Sequence, residues 1–581
     1  MRTAFFDIET DGLLDAMTRV HCLVIRTADG EVVPFREAEI QGGLRYLDTF
    51  DLLIGHNAVE FDVPALQKRH PGWRPAAKLR DTLVSARLIW PDVKDQDFAR
   101  ARRGCAFPMR YAGRHSLAAW GHRLGVYKGD FGERTDWAEF SEEMLAYCVQ
   151  DTLVTAALWE HILATNTAEQ AFELEHAFAA RIAQQERNGF LFDVPAAERL
   201  AARLQARRAE LDTELSRMIP AFEVRYRTPK RQIEKTKIVP FNVQSRDHIA
   251  KHLIERRGWK PSRFTPEGKP QVDEAVLAPL EWPEAKLLDE RFMVQKRLAQ
   301  LIEGKQAWLS LVKPDGRIHG RVNHNGAVTG RCTHSGPNVA QVPANRAPYG
   351  KECRALFKAA PGFLLVGADA KGLELRCFAH YLAMYDEGAY IQVVTTGDPH
   401  TVNQEAAGLP TRDAAKTFIY AFLYGAGDEK LGSIVGKGER QGKLLKQRFM
   451  ARTPGLKRLK LEIAKRVRLR GKLRGLDGRW LTVRSAHAAL NTLLQSAGAI
   501  VMKQATVIFH ELMEARGFQD GREYRQVAHI HDEIQAEVRD DLAPLAAELA
   551  VQAIRDTAAR LGFRCPLDGD ARIGNTWAAT H

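Results

Sequence analysis

A multidomain α/β architecture is predicted by three observations. The chain has 581 residues, too many for one hydrophobic core. Short β-like runs alternate with long helical patterns. The texture changes twice, near Thr165 and near Glu352. The first region, to about Thr165, mixes the runs "TAFFDIET", "HCLVIRT" and "DLLIGHN" with helical segments, as an α/β domain does. The second, from Asn166 to Pro348, opens on the amphipathic pattern "AAERLAARLQARRAELDTELSRMI" and passes into the basic, proline-punctuated "RYRTPKRQIEKTKIVPFN". The third alternates strands ("FLLVGADA", "VAHIHDEIQAEV") with long helices and runs to the end.

Net charge is +12 at pH 7 and the sequence pI is near 9.3, which favours a polyanionic partner. Fourteen of the basic residues crowd between Arg440 and Arg474 beside a single acid, Glu462. Most charge runs are solvated helix faces, but so one-sided a block repels itself and fits a phosphate backbone better. The seven cysteines are scattered with no CxxC pair, so neither a zinc site nor a disulfide framework is expected, and a reducing cytoplasm fits. The N-terminus "MRTAFFDIETDG" is not a signal peptide, and no apolar run is expected to cross a bilayer.

Two groups of carboxylates carry the chemistry. In "FFDIET" strand alternation sets Asp7 and Glu9 on one face, where a divalent cation would turn their repulsion into a site. Alone, this is equally well two solvated acids at a strand end. Two further segments add Asp62, in "HNAVEFDVP", and the pair Tyr147 and Asp151, one helical turn apart in "YCVQDTLVT". The second group comes from "FLLVGADAKGLELR", a strand ending on Asp369, and "VAHIHDEIQAEV", read as a strand with Asp532 and Glu533 in its middle. Adjacent strand residues face opposite ways, so Asp532 is assigned to metals beside Asp369 and Glu533 to a supporting role. Between them, Arg412, Lys416, Tyr420 and Tyr424 recur every four residues in "TRDAAKTFIYAFLYGAGDEK". Alone that stripe is a solvated basic face; between two metal-type carboxylates it suits a triphosphate grip with an aromatic end.

The order "DIET", Asn57-x-x-x-Phe61-Asp62, Tyr147-x-x-x-Asp151 resembles the three motifs of the DEDD 3′–5′ exonucleases. The segments "DAKGLELR", Arg412 to Gly425 and "HDE" resemble motifs A, B and C of family A DNA polymerases. The segments "NGAVTGRCTHSGPNVAQVP", "GDPHT" and "RSAHAALNTLLQSAGA" are similar to replicative polymerases of short-tailed bacteriophages, and the likeness spans nearly the whole chain. It implies an RNase H-like exonuclease domain over 1–165 and a right-hand polymerase domain: thumb and palm entry over 166–348, palm with motif A over 349–399, fingers over 400–475, and palm with motif C over 476–581.

The resemblance implies two magnesium ions per site, with manganese as an alternative. Asp369, Asp532 and the Ala370 carbonyl would hold one pair; Asp7, Glu9, Asp62 and Asp151 the other, with Tyr147 orienting the attacking water. His400, Arg412 and Lys416 would meet the incoming triphosphate, Tyr420 and Tyr424 would lie at its sugar and base, and Glu374 would exclude a ribose 2′-hydroxyl. Arg331, Gln341, Gln495 and His531 would touch the primer–template. Lys371 stands where the family usually has serine and would either pair with Asp369 or turn away. Only "RYRTPKRQIEKTKIVP" fills the place where thioredoxin-using relatives carry a long thumb insertion, so no thioredoxin partner is expected. Arg225, Arg227, Lys230, Arg231, Lys235 and Lys237 could hold duplex DNA there. The chain opens on the exonuclease strand, so no 5′ nuclease is expected. A monomer in a host bacterial cytoplasm, working with a helicase-primase and a single-stranded-DNA-binding protein, completes the expectation. The rivals are a nuclease with a degenerate polymerase half, a basic packaging protein and a single-subunit RNA polymerase; the intact motifs weigh against each.

Overall fold

The strand Thr3–Thr10 is buried along most of its length because it is the centre of a five-stranded sheet. Val20–Thr27 and Val32–Arg36 add to one side antiparallel; Leu52–Gly55 and Lys78–Asp81 add to the other side parallel. The computed structural model describes residues 1–104, 107–227 and 234–581; Cys105, Lys230 and Arg231 lie outside them. The helix Glu142–Leu163 packs across this first sheet. It starts where Ser141 Oγ accepts from the Met144 amide at 3.1 Å, satisfying one of the free N–H groups of the first turn.

The C-terminal region is built on a second, wholly antiparallel sheet in the order Tyr524–Ile530, Glu533–Arg539, Phe363–Ala370, Gly569–Gly574. Alternation divides its two faces. Val366, Ala368, Tyr524, Ala536 and Val538 pack on the helices Ala489–Glu514 and Ala543–Arg560, while Leu365 and Val527 pack with Phe357 and Trp577 on the other side. The helix Ala489–Glu514 with its leading turn corrects one expectation. Ala486–Glu514 is long and apolar enough to cross a membrane, but 94% of its most apolar stretch is buried inside the molecule, as a core helix requires. The basic block forms two helices, Glu439–Arg452 and Pro454–Arg470, which bury Leu445, Phe449, Leu456, Leu459 and Ile463 and turn their charges outward.

The helix Glu169–Asn188 joins the two halves. On one side Arg80 Nη2 meets Glu169 at 2.8 Å and Glu173 at 2.6 Å, and the Asp81 amide donates to His176 Nε2 at 2.8 Å. On the other side Glu175 is fully buried against Lys503 Nζ and Arg479 Nη2, each at 2.6 Å. Burial alone would raise the Glu175 pKa; Lys503 and Arg479 outweigh it and hold the carboxyl well below its ordinary range.

The segment "VAHIHDEIQAEV" is not one strand. It is a hairpin in which Ile530 pairs with Glu533 and His531–Asp532 form the two-residue turn. His531 adopts φ 56°, a left-handed conformation that hairpin turns usually assign to Gly or Asn. With neither residue present, Asp532 is the only turn-favouring residue at the tip, and the apolar run on both sides reads as continuous.

Candidate active sites

The hairpin answers why two acids stand side by side: Asp532 is at the tip, and Glu533 opens the returning strand. Glu533 is the register partner of Asp369, and the Ala370 amide donates to the Asp532 carbonyl at 3.1 Å. Asp369 and Asp532 therefore meet at one end of the second sheet. Asp369 is open to solvent on one side, yet the protein around it strips enough water, with Asp532 adding repulsion, to push its pKa to about 7. Burial, then the Glu374 carboxylate, lift Asp532 to about 6. Glu533 stands directly across from Asp369 and shares its sheet face, against the expectation from strand alternation, because Asp532 lies in the turn and not on the strand; its carboxylate is tied to partners of its own. Trp577 Nε1 donates to it at 2.7 Å, Gln535 Nε2 at 2.5 Å, and the His581 ring lies at 3.1 Å. Burial would raise its pKa, but these partners lower it, so Glu533 is an anchored carboxylate. Lys371 takes the second of its two options. The strand ends at Ala370, and Lys371 Nζ reaches Asp570 at 2.8 Å and Asp568 at 3.3 Å instead of Asp369.

The basic–aromatic stripe lies on the helix Arg412–Leu423, with Tyr424 as its C-cap and Thr411 Oγ1 capping the Ala414 amide at 3.1 Å. Arg412 forms a two-pronged pair with Asp398, at 2.7 and 3.1 Å, and the His400 amide donates to the same carboxylate at 3.1 Å. The His400 and Tyr420 ring centroids are 6.3 Å apart. Tyr424 Oη donates to Glu374 Oε1 at 2.9 Å. Arg331 stands near enough to Tyr424, His531 and Asp532 for its charge to act on all three. Lys416 is exposed on the same helix, one turn after Arg412. Gln341 is exposed at the end of the turn Val339–Gln341, and Gln495 is half-buried on the helix Ala489–Glu514. Among the described residues no hydrogen bond joins either glutamine to the Asp369–Asp532 pair. Asp398, which gathers Arg412 and His400, was missed; its signal was its place directly before Pro399-His400 in "GDPHT".

The first carboxylate group assembles as alternation predicts. Asp7, Glu9, Asp62, Asp151 and Tyr147 line one cleft of about 770 Å³. Asp62 and Asp151 are each 4% exposed. Burial, reinforced by Asp151, pushes Asp7 to about 8; burial and Asp7 raise Glu9 and Asp62 well above the carboxylate range; burial lifts Asp151 to about 6 against the pull of Lys128. Lys128 is a residue the sequence did not flag. Its ammonium contacts Asp151 and lies 4.3 Å from the Tyr147 ring centroid. Burial opposes its charge, but Asp151 and Tyr147 outweigh that and raise its pKa. The donor set fits divalent cations. Four acids crowd together with one nearby ammonium, and Asp151 Oδ1 is buried with no hydrogen-bond partner. Arg321 and Asn323, from beyond the joining helix, also line this cleft.

Comparison with known proteins identifies the family. DNA polymerase family A matches residues 212–579. Over 705 aligned positions the chain is 38% identical to the DNA-directed DNA polymerase of Enterobacteria phage T3, with 99% of each chain covered. It is 37% identical to that of Escherichia phage T7 over a span of the same length and coverage. Among solved structures, the POL domain of Pol1 from M. smegmatis, in complex with DNA primer-template and dNTP, is similar with a TM-score of 0.76, covering 99% of this chain and 96% of that one. At 19% identity that likeness is one of fold. The chain belongs to DNA polymerase family A and is a DNA-directed DNA polymerase.

Proposed function

We propose that the chain is a replicative, phage-type polymerase that extends a primer at Asp369 and Asp532 and removes mispaired 3′ ends at Asp7, Glu9, Asp62 and Asp151. The observation that carries this reading is the presence of two separate carboxylate sites, on two separate sheets, in one family A chain. The complex of the M. smegmatis relative with primer-template and dNTP supports those two ligands here. Asp369, Asp532 and the Ala370 carbonyl would hold cations at the first site, and Asp7, Glu9, Asp62 and Asp151 at the second. Bound there, magnesium or manganese supplies stabilisation of the attacking and leaving oxygens of phosphoryl transfer.

The remaining work falls to the chain's own groups. Phosphoryl transfer is mostly positioning and charge neutralisation, so Arg412, Lys416 and His400 would fix the triphosphate and offset the charge that gathers on its leaving end. Asp398 keeps Arg412 and His400 aligned before the nucleotide arrives. Tyr420 would lie against the incoming sugar and base. Glu374, pinned by the Tyr424 hydroxyl, would occupy the space a ribose 2′-hydroxyl needs. Arg331, Gln341 and Gln495 would read acceptors in the minor groove that all correct pairs share, with His531 beside the primer terminus. In the exonuclease cleft Tyr147 would orient water, and Lys128 would hold Tyr147 and Asp151 in register. The test is extension and degradation of a matched and a mismatched primer on one gel. Asp7→Ala with Glu9→Ala should lose degradation and keep extension, and Asp532→Ala should do the reverse. Loss of both activities in either variant would contradict the division.

A further inference from the structure

One group directly behind the carboxylates of the N-terminal cleft has no part in that chemistry: the sulfur of Cys148. It follows Tyr147 on the helix Glu142–Leu163 and lies one turn before Asp151, so it shares the face that meets the sheet. The residue is fully buried, and its thiol donates to Asp7 Oδ2 at 3.4 Å. The Cys148 sulfur and one carboxylate oxygen each from Asp7 and Glu9 lie within 4.8 Å of one another. Cys22, Val24 and Leu145 pack behind it. Independently of this trio, Asp151 Oδ1 is buried in the same cleft with no partner. Oxygen donors alone would suit a hard ion such as Mg²⁺, which gains nothing from sulfur. A thiolate beside two carboxylates suits zinc, cobalt or cadmium.

We infer that Cys148, Asp7 and Glu9 form a mixed sulfur–oxygen site that captures a thiophilic divalent cation such as Zn²⁺, in competition with the hard cation that the nuclease uses. This rests on reading Asp7 and Glu9 as a cation site. Mg²⁺ leaves the thiol intact. Zn²⁺ replaces the S–H bond with an S–Zn bond, and the proton leaves to the buffer, so its capture releases about one proton more than Mg²⁺ binding does. With both carboxylates committed to the soft ion, degradation of a primer end is inhibited by Zn²⁺.

Cobalt is the probe, because its thiolate complexes show a near-ultraviolet charge-transfer band. Titration of the full chain with Co²⁺ should give that band in the native protein and in Cys22→Ser, and should give none in Cys148→Ser. Cadmium NMR of the native chain, which needs no variant, should give a resonance shifted to the sulfur-ligated range. A cobalt band that survives in Cys148→Ser, or a cadmium signal confined to the all-oxygen range, overturns the inference. Absence of Mg²⁺-dependent nuclease activity with the cobalt band intact would sink the proofreading reading and leave this site standing.

Discussion

Replacing Lys128 with Met separates the two ways Asp151 can be neutralised. In metal-free protein the Lys128 ammonium is the partner of one Asp151 oxygen, and the other oxygen has none. Removing one member of a buried pair costs about 3–5 kcal/mol when the survivor keeps its charge. Asp151 has an escape, because its pKa is already about 6 beside Lys128. Taking up a proton at about pH 7.5 then costs about 2 kcal/mol, at about 1.4 kcal/mol per pH unit. That is the expected loss, since the cheaper route sets the penalty. A unit of roughly 150–250 residues melts about 2–4 °C lower per kcal/mol, so Lys128→Met should lower the first transition by about 4–8 °C in EDTA. With saturating Mg²⁺ the cation takes over the neutralisation, and less than half of that shift should remain. Calorimetry of both proteins with and without Mg²⁺ measures it. An equal shift in both conditions, or none in EDTA, would refute the reasoning.

Other outcomes follow from the same geometry. The native Asp7 carboxyl, pushed to about 8, holds a proton that the unfolded chain releases near pH 4. The stability it contributes is therefore present below about pH 4 and is lost as pH rises through about 8. Metal-free protein should melt at falling temperature between those limits, and Asp7→Asn should flatten the trend. Lys503→Met leaves Glu175 without its closest ammonium and should cost about 3 kcal/mol in urea unfolding, Arg479 retaining part of the pairing. Restoration by the double change with Glu175→Met checks that the survivor's charge is responsible. Tyr420→Phe should reduce use of dideoxynucleotide terminators about tenfold, the worth of one hydrogen bond near 1.4 kcal/mol; unchanged terminator use ends the idea.

What could be read from sequence was what repeats or alternates. Asp7 and Glu9 are two positions apart on a strand, Tyr147 and Asp151 are one turn apart on a helix, and the stripe from Arg412 to Tyr420 keeps a helical period; all three patterns are local, and the described structure has the corresponding elements. The hairpin tip was hidden because His531 takes a left-handed conformation without the residue types that announce one. Lys128, Cys148 and Asp398 were invisible for another reason. Each matters through a partner that sequence spacing does not reveal: Asp151 for Lys128, Asp7 for Cys148 and Arg412 for Asp398. The buried Lys503 was likewise lost inside an apolar helix, since nothing nearby discloses a glutamate 328 residues away.

The helix Glu169–Asn188 is bolted at both ends, to Arg80 and Asp81 on one flank and to Lys503, Arg479 and Glu514 on the other. Such a girder sets a constant spacing between the workplaces it spans. On the proposed division of labour, error correction is a journey made by the frayed DNA tip over that frame, and its pace belongs to the mismatch.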